Sequence, residues 1–358
     1  MDQQPTVNIS PEYFEQNPIV AIAFMAFMLI FIAFILGALS SWTFLIIRAV
    51  QGKPLLTPEP WKPRVWGFVD ILLAVVFIVF WQIQSSVVGH SLGLDRQNIA
   101  ATQSISLPLA MLSGLGNVAA MVTTCIWIVV RHGASIAQLG FSFVRWWKHI
   151  VIGFIAALAS IPFVYALMAA VSIGFDNKYS HPLLEEMKRD GSLPAYLLAV
   201  TSAVLIAPLV EEFIFRVLIQ GWLQSAPFGS IKSIFLGQRE ESQLAFVATS
   251  SDTTFAPRQD NPYAPLNVTV TNLEPTDAAG TVSLTPPVWP SLVTGTLFGL
   301  AHFSYGLSFI PLIVLGIILG LLYRATHSIW PSLVVHFILN GSSMLALGMT
   351  ILIERATN

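Results

Sequence analysis

The stretch IVAIAFMAFMLIFIAFILGALSSWTFLII, residues 19–47, is 29 residues long and contains no charged side chain. About 20 consecutive apolar residues are enough for a helix to cross the hydrocarbon core of a bilayer. This stretch is therefore long enough to span a membrane as one helix, and a polar tail, residues 1–18, precedes it.

The composition of the whole chain also indicates a membrane protein. Of its 358 residues, 55% are hydrophobic and only 10% are charged, whereas about 25% of the residues in a soluble domain are charged. The formal net charge of -2 does not indicate nucleic-acid binding. We therefore expect the lipid bilayer, and no nucleic acid, among the partners. The single cysteine, Cys125, cannot form an internal disulfide.

Seven more apolar runs follow along the chain. They occupy residues 66–89, 104–130, 149–174, 193–223, 288–304, 309–323 and 328–353. Continuous runs predict helices rather than the alternating strands of a β-barrel. We predict an all-α fold, a polytopic transmembrane bundle of about eight helices. The two runs near residue 300 are short and interrupted by Gly and Pro, so a re-entrant pair is the alternative there.

Two segments depart from the apolar pattern. Residues 226–287 are rich in Pro, Thr, Ser, Asn and Asp, and we expect a polar cytoplasmic insertion that is partly disordered and contains a small hairpin. Near residues 134–148, aromatic and basic side chains recur at helical spacing, which predicts an interfacial amphipathic helix. Residues 19–176 then form the N-terminal membrane helices, and residues 177–225 and 288–353 form a second membrane unit.

Basic residues near the helix ends predict the orientation of the bundle. They form three clusters, at Arg48, Lys53, Lys62 and Arg64, at Arg131, Arg145 and Lys148, and at Arg324. In an eight-helix arrangement all three clusters lie on one side, and basic residues mark the cytoplasmic side. We therefore expect both termini outside, in a bacterial cytoplasmic membrane.

Ionisable side chains deep within the predicted spans are few and all lie in the C-terminal half. They are Glu211, Glu212, Arg216, His302 and His336. An ionisable residue at membrane depth costs free energy and indicates a functional site by default. The other histidines are expected at solvated or interfacial positions. They are His90, His132, His149, His181 and His327.

Helical geometry separates the roles of the two glutamates. Glu212 and Arg216 are four residues apart with the acid first, which predicts an ion pair within the helix. Successive residues are about 100° apart around a helix, so Glu211 faces elsewhere. It is the candidate for a desolvated carboxylate that acts as a general base. The alternative is a packing network in which all three residues only stabilise neighbouring helices.

The other candidate groups are expected at a similar depth. His336 and Asn340 are four residues apart, so an imidazole and an amide lie on one helix face. Counted at 1.5 Å per residue, His336, His302 and Glu211 all fall in the cytoplasmic half of the bilayer. The three predicted helices can therefore contribute to one buried cavity.

Three motifs on separate apolar runs resemble those of the CPBP or Abi family of intramembrane proteases. They are Glu-Glu-x-x-x-Arg at 211–216, Phe-x-x-x-His at 298–302 and His-x-x-x-Asn at 336–340. This family includes the type II CAAX prenyl endopeptidases. The likeness covers about residues 180–352, whereas residues 1–120 add little to it.

The resemblance implies an intramembrane endopeptidase that acts on a membrane-associated protein or peptide, with prenylated CAAX proteins as one substrate class. Glu211 would activate a water together with His302, while His336 and Asn340 would stabilise the oxyanion. The supporting residues would be Glu212, Arg216 and Phe298. A zinc ion on Glu211, His302 and His336 and a metal-free glutamate mechanism are both compatible with these residue types.

Two departures from the family pattern concern substrate access or regulation. Val217 follows the motif arginine, where the family commonly has Gly, and the insertion between the first and second motifs is unusually long. Two other functions are the alternatives, a non-catalytic membrane protein for bacteriocin immunity or scaffolding, and a proton-coupled transporter. The candidate residues argue against the first, and the lack of repeated halves argues against the second.

Overall fold

A computed structural model describes residues 11–61, 63–94, 107–175, 192–238 and 286–357. These residues form a polytopic helical bundle, and no strand occurs among them. The helices are α1 (Pro11–Gln16), α2 (Pro18–Val50), α3 (Phe68–Ser91), α4 (Leu107–His132), α5 (Trp146–Gly174), α6 (Leu193–Phe228), α7 (Ile231–Leu236), α8 (Trp289–Leu300), α9 (Phe309–Thr326) and α10 (Trp330–Thr357). Within the described ranges, seven helices are long and apolar enough to cross a membrane. The predicted fold class is confirmed.

The run predicted at residues 288–304 forms the short helix α8. Its 12 residues extend about 18 Å, well below the roughly 30 Å of a bilayer core. A 3₁₀ turn, Phe303–Ser308, connects it to α9. At the far end of α9, Arg324 Nε donates to the carbonyl of Pro286 at 2.8 Å, just before α8 begins. The two helices therefore form a hairpin of one short and one long helix, with both outer ends at one level.

Helix α6 is widened by π-helical turns at Thr201–Ile206 and Phe213–Gln220. In the first of these turns the amide of Ala207 donates to Ser202, five residues back. The next amide in this pattern would bind the carbonyl of Ala203, but Pro208 has no N–H group. The carbonyl of Ala203 is thereby left without a partner in its own helix.

The predicted interfacial helix near residues 134–148 is wrong over its first part. Residues 134–145 form turns, and α5 begins only at Trp146. Gly133 and Gly140 have φ angles of 74° and 83°, which a right-handed helix cannot contain. Leu139 is fully buried, whereas Ile136, Phe143 and Val144 of the same segment are exposed.

The N-terminal half contains a buried carboxylate that the sequence analysis did not single out. Asp70 is 0% exposed and accepts hydrogen bonds from Gly67 N and Trp127 Nε1. His132 Nε2 lies 2.9 Å from the same carboxylate, and His149 Nε2 lies 3.2 Å from the carboxylate of Glu59. Both histidines are buried, so their predicted solvated or interfacial positions are wrong. A carboxylate partner makes this burial tolerable.

The basic clusters meet at one end of the bundle around Glu59. Its carboxylate pairs with Lys148 at 3.2 Å, and its amide donates to Ala325 O at the end of α9. Arg64 donates to the hydroxyl of Tyr323 at 3.0 Å. The three clusters are thus on one side, while the assignment of that side to the cytoplasm stays a prediction. The predicted hairpin and His181 lie outside the described residues.

Candidate active site

The two motif glutamates lie on α6 in the α-helical turn Ala207–Glu212, between the two π-helical segments. Widened turns of this kind occur frequently at functional sites. The Glu212 side chain is 0% exposed, whereas the Glu211 side chain is 27% exposed. Adjacent carboxylates on one helix therefore occupy different environments, one enclosed by protein and one accessible.

Glu212 is held by two partners. Arg216 Nε donates to its Oε2 at 3.0 Å, which confirms the predicted ion pair. His336 Nδ1 lies 3.1 Å from its Oε1, a contact that the sequence did not predict. All three side chains are at most 5% exposed. The carboxylate of Glu212 thus connects α6 to α10 and orients the imidazole of His336.

The second histidine, His302, lies in the turn that ends α8. Its Nδ1 is 2.8 Å from the carbonyl oxygen of Phe298. A carbonyl only accepts, so Nδ1 carries the hydrogen of this bond. By the same reasoning the Nδ1 of His336 donates to the carboxylate of Glu212. In each neutral imidazole the Nε2 atom is then a hydrogen-bond acceptor.

Both Nε2 atoms lie near the same oxygen of Glu211. The Oε2 atom is 3.7 Å from His336 Nε2 and 4.0 Å from His302 Nε2. These separations exceed a direct hydrogen bond and are of the kind that a bridging water spans. The accessible carboxylate and one of the two imidazoles can therefore accept the two hydrogens of one water molecule.

Phe298 is packed among these groups. It is 0% exposed, and its ring centre lies 5.0 Å from that of His302 and 5.5 Å from that of His336. The guanidinium carbon of Arg216 is 5.4 Å from the same ring centre, within range of a cation–π interaction. One aromatic ring thus contacts both imidazoles and the buried cation.

The polar contacts of this region extend beyond the predicted residues. Arg216 Nη1 lies 3.5 Å from the hydroxyl of Thr294 on α8. Gln220, one turn after Arg216, donates to Ser291 Oγ at 3.1 Å and to Gly320 O at 2.7 Å. These side chains are fully buried. These hydrogen bonds join α6 to the hairpin of α8 and α9. In the sequence, the residues could have been recognised as uncharged polar residues within apolar runs.

Asn340 lies one turn beyond His336 on α10 and has a different neighbour. Its Nδ2 donates to the carbonyl of Ala203 at 2.8 Å. This is the carbonyl that Pro208 leaves without a partner in α6. Asn340 therefore satisfies a backbone acceptor of the widened turn, and its second amide hydrogen is not used by that bond. Its predicted place in an oxyanion site stays a prediction.

Residues 276–342 match a family model described as type II CAAX prenyl endopeptidase Rce1-like. This part of the chain is Rce1-like. The match spans 67 of the 358 residues and is to a protease family of the kind predicted from the motifs. The Rce1-like segment contains His302, His336 and Asn340, while Glu211 and Glu212 lie before it and join the site through the contacts described above. No curated protein and no solved structure matches the chain.

The carboxylate oxygen of Glu211 and the Nε2 atoms of the two histidines lie further apart than two ligands of one zinc ion do. Two ligands of a tetrahedral zinc ion, each about 2.0 to 2.2 Å from the metal, lie roughly 3.4 Å apart. Glu211 Oε2 is 3.7 and 4.0 Å from the two Nε2 atoms. Among the residues that the structure describes, no group of three or more His, Cys, Asp or Glu is arranged to hold a metal ion.

A cavity of about 480 Å³ reaches Glu211 from between α3, α4 and α6. Its lining includes Gln82 on α3 and Asn117 on α4, both from the part of the chain that adds little to the Rce1-like resemblance. Apart from Glu211, the polar residues of this lining are amides and serines, so no charged residue in the sequence marked the cavity. Glu211 can therefore be reached from a space within the helical bundle.

Proposed function

We propose that the chain is an intramembrane endopeptidase that hydrolyses a peptide bond of a membrane-associated protein or peptide, with Glu211 as the general base. The observation that carries this proposal is the position of Glu211 Oε2 next to the Nε2 atoms of His336 and His302, at 3.7 and 4.0 Å. The partly exposed carboxylate lies on α6 within the bundle of apolar helices.

In the proposed reaction, a water molecule between Glu211 and His302 attacks the carbonyl carbon of the substrate. The water loses one proton to the Glu211 carboxylate as the new C–O bond forms. The C–N bond then breaks, and Glu211 returns the proton to the leaving nitrogen. The products are a carboxylate terminus and an amine terminus, so one water molecule accounts for all atoms transferred.

We assign oxyanion stabilisation to His336 and Asn340. His336 donates from Nε2 only when both ring nitrogens are protonated, and the Glu212 carboxylate at Nδ1 compensates the charge of that form. Asn340 retains one amide hydrogen beside its bond to Ala203. Glu212, Arg216 and Phe298 act as positioning residues, because they contact the reacting groups without facing the proposed water.

The proposed substrate class includes prenylated CAAX proteins, which the Rce1-like match supports. Glu211 lies midway along α6. We propose that the active site opens to the cytoplasmic side, which the basic clusters at one end of the bundle would mark. The test uses purified protein in liposomes and a fluorogenic peptide that ends in a CAAX sequence, with and without a farnesyl group.

Hydrolysis of the reporter is expected before and after dialysis against a chelator, since no step in the proposed reaction uses a metal. Loss of hydrolysis after dialysis, restored by zinc alone, would contradict the metal-free reaction. If neither reporter is hydrolysed, but peptide-independent proton uptake follows an imposed gradient, the transporter alternative replaces the protease.

A further inference from the structure

The cavity beside Glu211 is lined by apolar residues such as Leu109, Ile206 and Val210 and, between them, by uncharged polar side chains from three helices. They are Gln82, Ser85 and Ser86 on α3, Ser113 and Asn117 on α4, and Ser202 on α6. Glu211 is the one charged group in this lining, and no Lys, Arg or His occurs among the lining residues within the described ranges. Uncharged polar groups, with no basic residue to pair with an anion, suit a neutral ligand that forms hydrogen bonds.

Hydrogen bonds hold part of this wall in a fixed orientation. Gln82 Nε2 donates to Asn117 Oδ1 at 2.7 Å, and Ser113 Oγ donates to Gln82 Oε1 at 2.6 Å. The Nδ2 group of the partly exposed Asn117 forms no hydrogen bond with any residue that the structure describes. An oriented amide donor therefore faces a space that ends at the candidate base.

A second cavity continues this polar track along α3. It has a volume of about 340 Å³ and is lined by Ser86, Val87, His90 and Leu109. Ser86 and Leu109 also line the first cavity, so the two spaces adjoin. The two cavities together extend from Glu211 toward the C-terminal end of α3. The second cavity contains the ionisable side chain His90, so only the first cavity is suited to an uncharged ligand.

The chemistry of a peptide in a membrane explains what the first cavity can bind. In lipid, a helical segment satisfies its own backbone N–H and C=O groups. A protease must reach a carbonyl carbon, so the substrate segment has to leave the helix and expose those groups. Amide and hydroxyl side chains beside Glu211 can replace the lost hydrogen bonds, whereas a charged residue there would have no partner.

We infer that the cavity between α3, α4 and α6 binds an unwound, uncharged segment of the substrate next to the bond that is cleaved. This inference rests on the proposed function. It makes Asn117 a substrate-binding residue for the peptide backbone, and Gln82, whose two amide hydrogens bind Asn117 and Ser113, the residue that orients it. It also implies that the terminal carboxylate of a CAAX peptide does not bind in this cavity.

The test measures thiol labelling in the full chain in liposomes. The only native cysteine is removed as Cys125→Ala, Glu211→Gln prevents cleavage, and Ser86→Cys introduces one thiol on the exposed wall of the cavity. The probes are two synthetic transmembrane peptides with a central Gly-Ser-Ala-Gly segment or the same segment with one Asp. A water-soluble maleimide reports access to residue 86.

The uncharged peptide is expected to slow labelling about tenfold at ten times its half-effect concentration, because about one site in eleven then remains empty. The Asp-containing peptide should have little effect. The matched control is Gln16→Cys, an exposed residue before the apolar run of α2, whose labelling should not change with either peptide. Adding Asn117→Leu should abolish the protection at residue 86, with an unchanged far-UV circular dichroism spectrum as the check that the variant is folded.

Unchanged labelling at residue 86, equal protection by both peptides, or a thiol that is unreactive without any peptide would overturn the inference. The last result would indicate a cavity filled by lipid. If the peptide protects residue 86 but protein that has Glu211 does not hydrolyse this peptide, the protease function is contradicted and the peptide site is retained. Hydrolysis without protection would retain the protease and exclude this cavity as the peptide site.

Discussion

Replacing Glu212 with Gln should destabilise the fold far more than the same change at Glu211. The Glu212 carboxylate accepts from Arg216 Nε at 3.0 Å and from His336 Nδ1 at 3.1 Å. Glutamine has one oxygen, so one of these donors would face an amide nitrogen instead. Arg216 would also keep a full positive charge at 0% exposure without its anion, while its Nη2 already has no hydrogen-bond partner among the described residues.

The magnitude follows from the burial of this pair. Removing one partner of a buried ion pair costs about 3 to 5 kcal/mol, which is a large share of the roughly 5 to 15 kcal/mol that stabilises a folded protein. Glu211 lies beyond hydrogen-bond distance of both histidines. Its replacement by Gln should therefore cost about 1 kcal/mol or less, the net contribution of an ordinary hydrogen bond.

The assay is reversible unfolding of purified protein in mixed micelles, with SDS as the denaturant and far-UV circular dichroism as the signal. The double variant Glu212→Gln/Arg216→Met is the informative control, because it removes both charges and should recover part of the lost stability. Equal unfolding curves for Glu211→Gln and Glu212→Gln, or no recovery in the double variant, would refute the reasoning.

Two further predictions concern stability. Asn340→Ala should cost about 1 to 3 kcal/mol, because Ala203 O loses its hydrogen bond. The cost should shrink in a Pro208→Ala background, where residue 208 regains an N–H group, and an unchanged cost would exclude this account. Burial and the nearby Arg64 lower the pKa of His327 from 6.5 to about 3. The unfolded chain therefore takes up a proton between these values and the native chain does not. Above pH 6.5 neither state binds this proton, so it does not affect the free energy of unfolding. Below pH 6.5 the free energy of unfolding should fall by up to about 1.4 kcal/mol per pH unit toward pH 3. Unfolding of the native chain and of His327→Gln at pH 7 and 5 checks this, and equal losses in the two chains would exclude it.

The features that the sequence predicted depend on local patterns. The length of the run at residues 19–47 predicted a membrane helix, and spacing within one helix predicted the pair of Glu212 and Arg216. Near residue 300 the short runs with Gly and Pro left two alternatives, a pair of membrane-spanning helices or a re-entrant pair. The structure has the short helix α8 and the longer helix α9 there. Each of these inferences needs only the neighbours of a residue along the chain.

The features that were missed depend on packing between distant segments. The contact of His336 with Glu212 requires α10 to lie against α6, and no local spacing encodes that arrangement. Asp70 became buried because His132 and Trp127 from α4 supply its partners. Residues 134–145 show helical spacing, yet Gly140 adopts a positive φ and its carbonyl accepts from Ile329 N. In each case a tertiary contact overrode the local pattern.

The central claim is that Glu211 performs the chemistry while Glu212 maintains the site. The most direct test is the initial rate of reporter-peptide hydrolysis by reconstituted Glu211→Gln protein, normalised to the fraction folded. We predict a loss of about 10² to 10⁴-fold, the usual contribution of a general base, with an unfolding curve close to that of the native chain. Undiminished hydrolysis by well-folded Glu211→Gln protein would contradict the account.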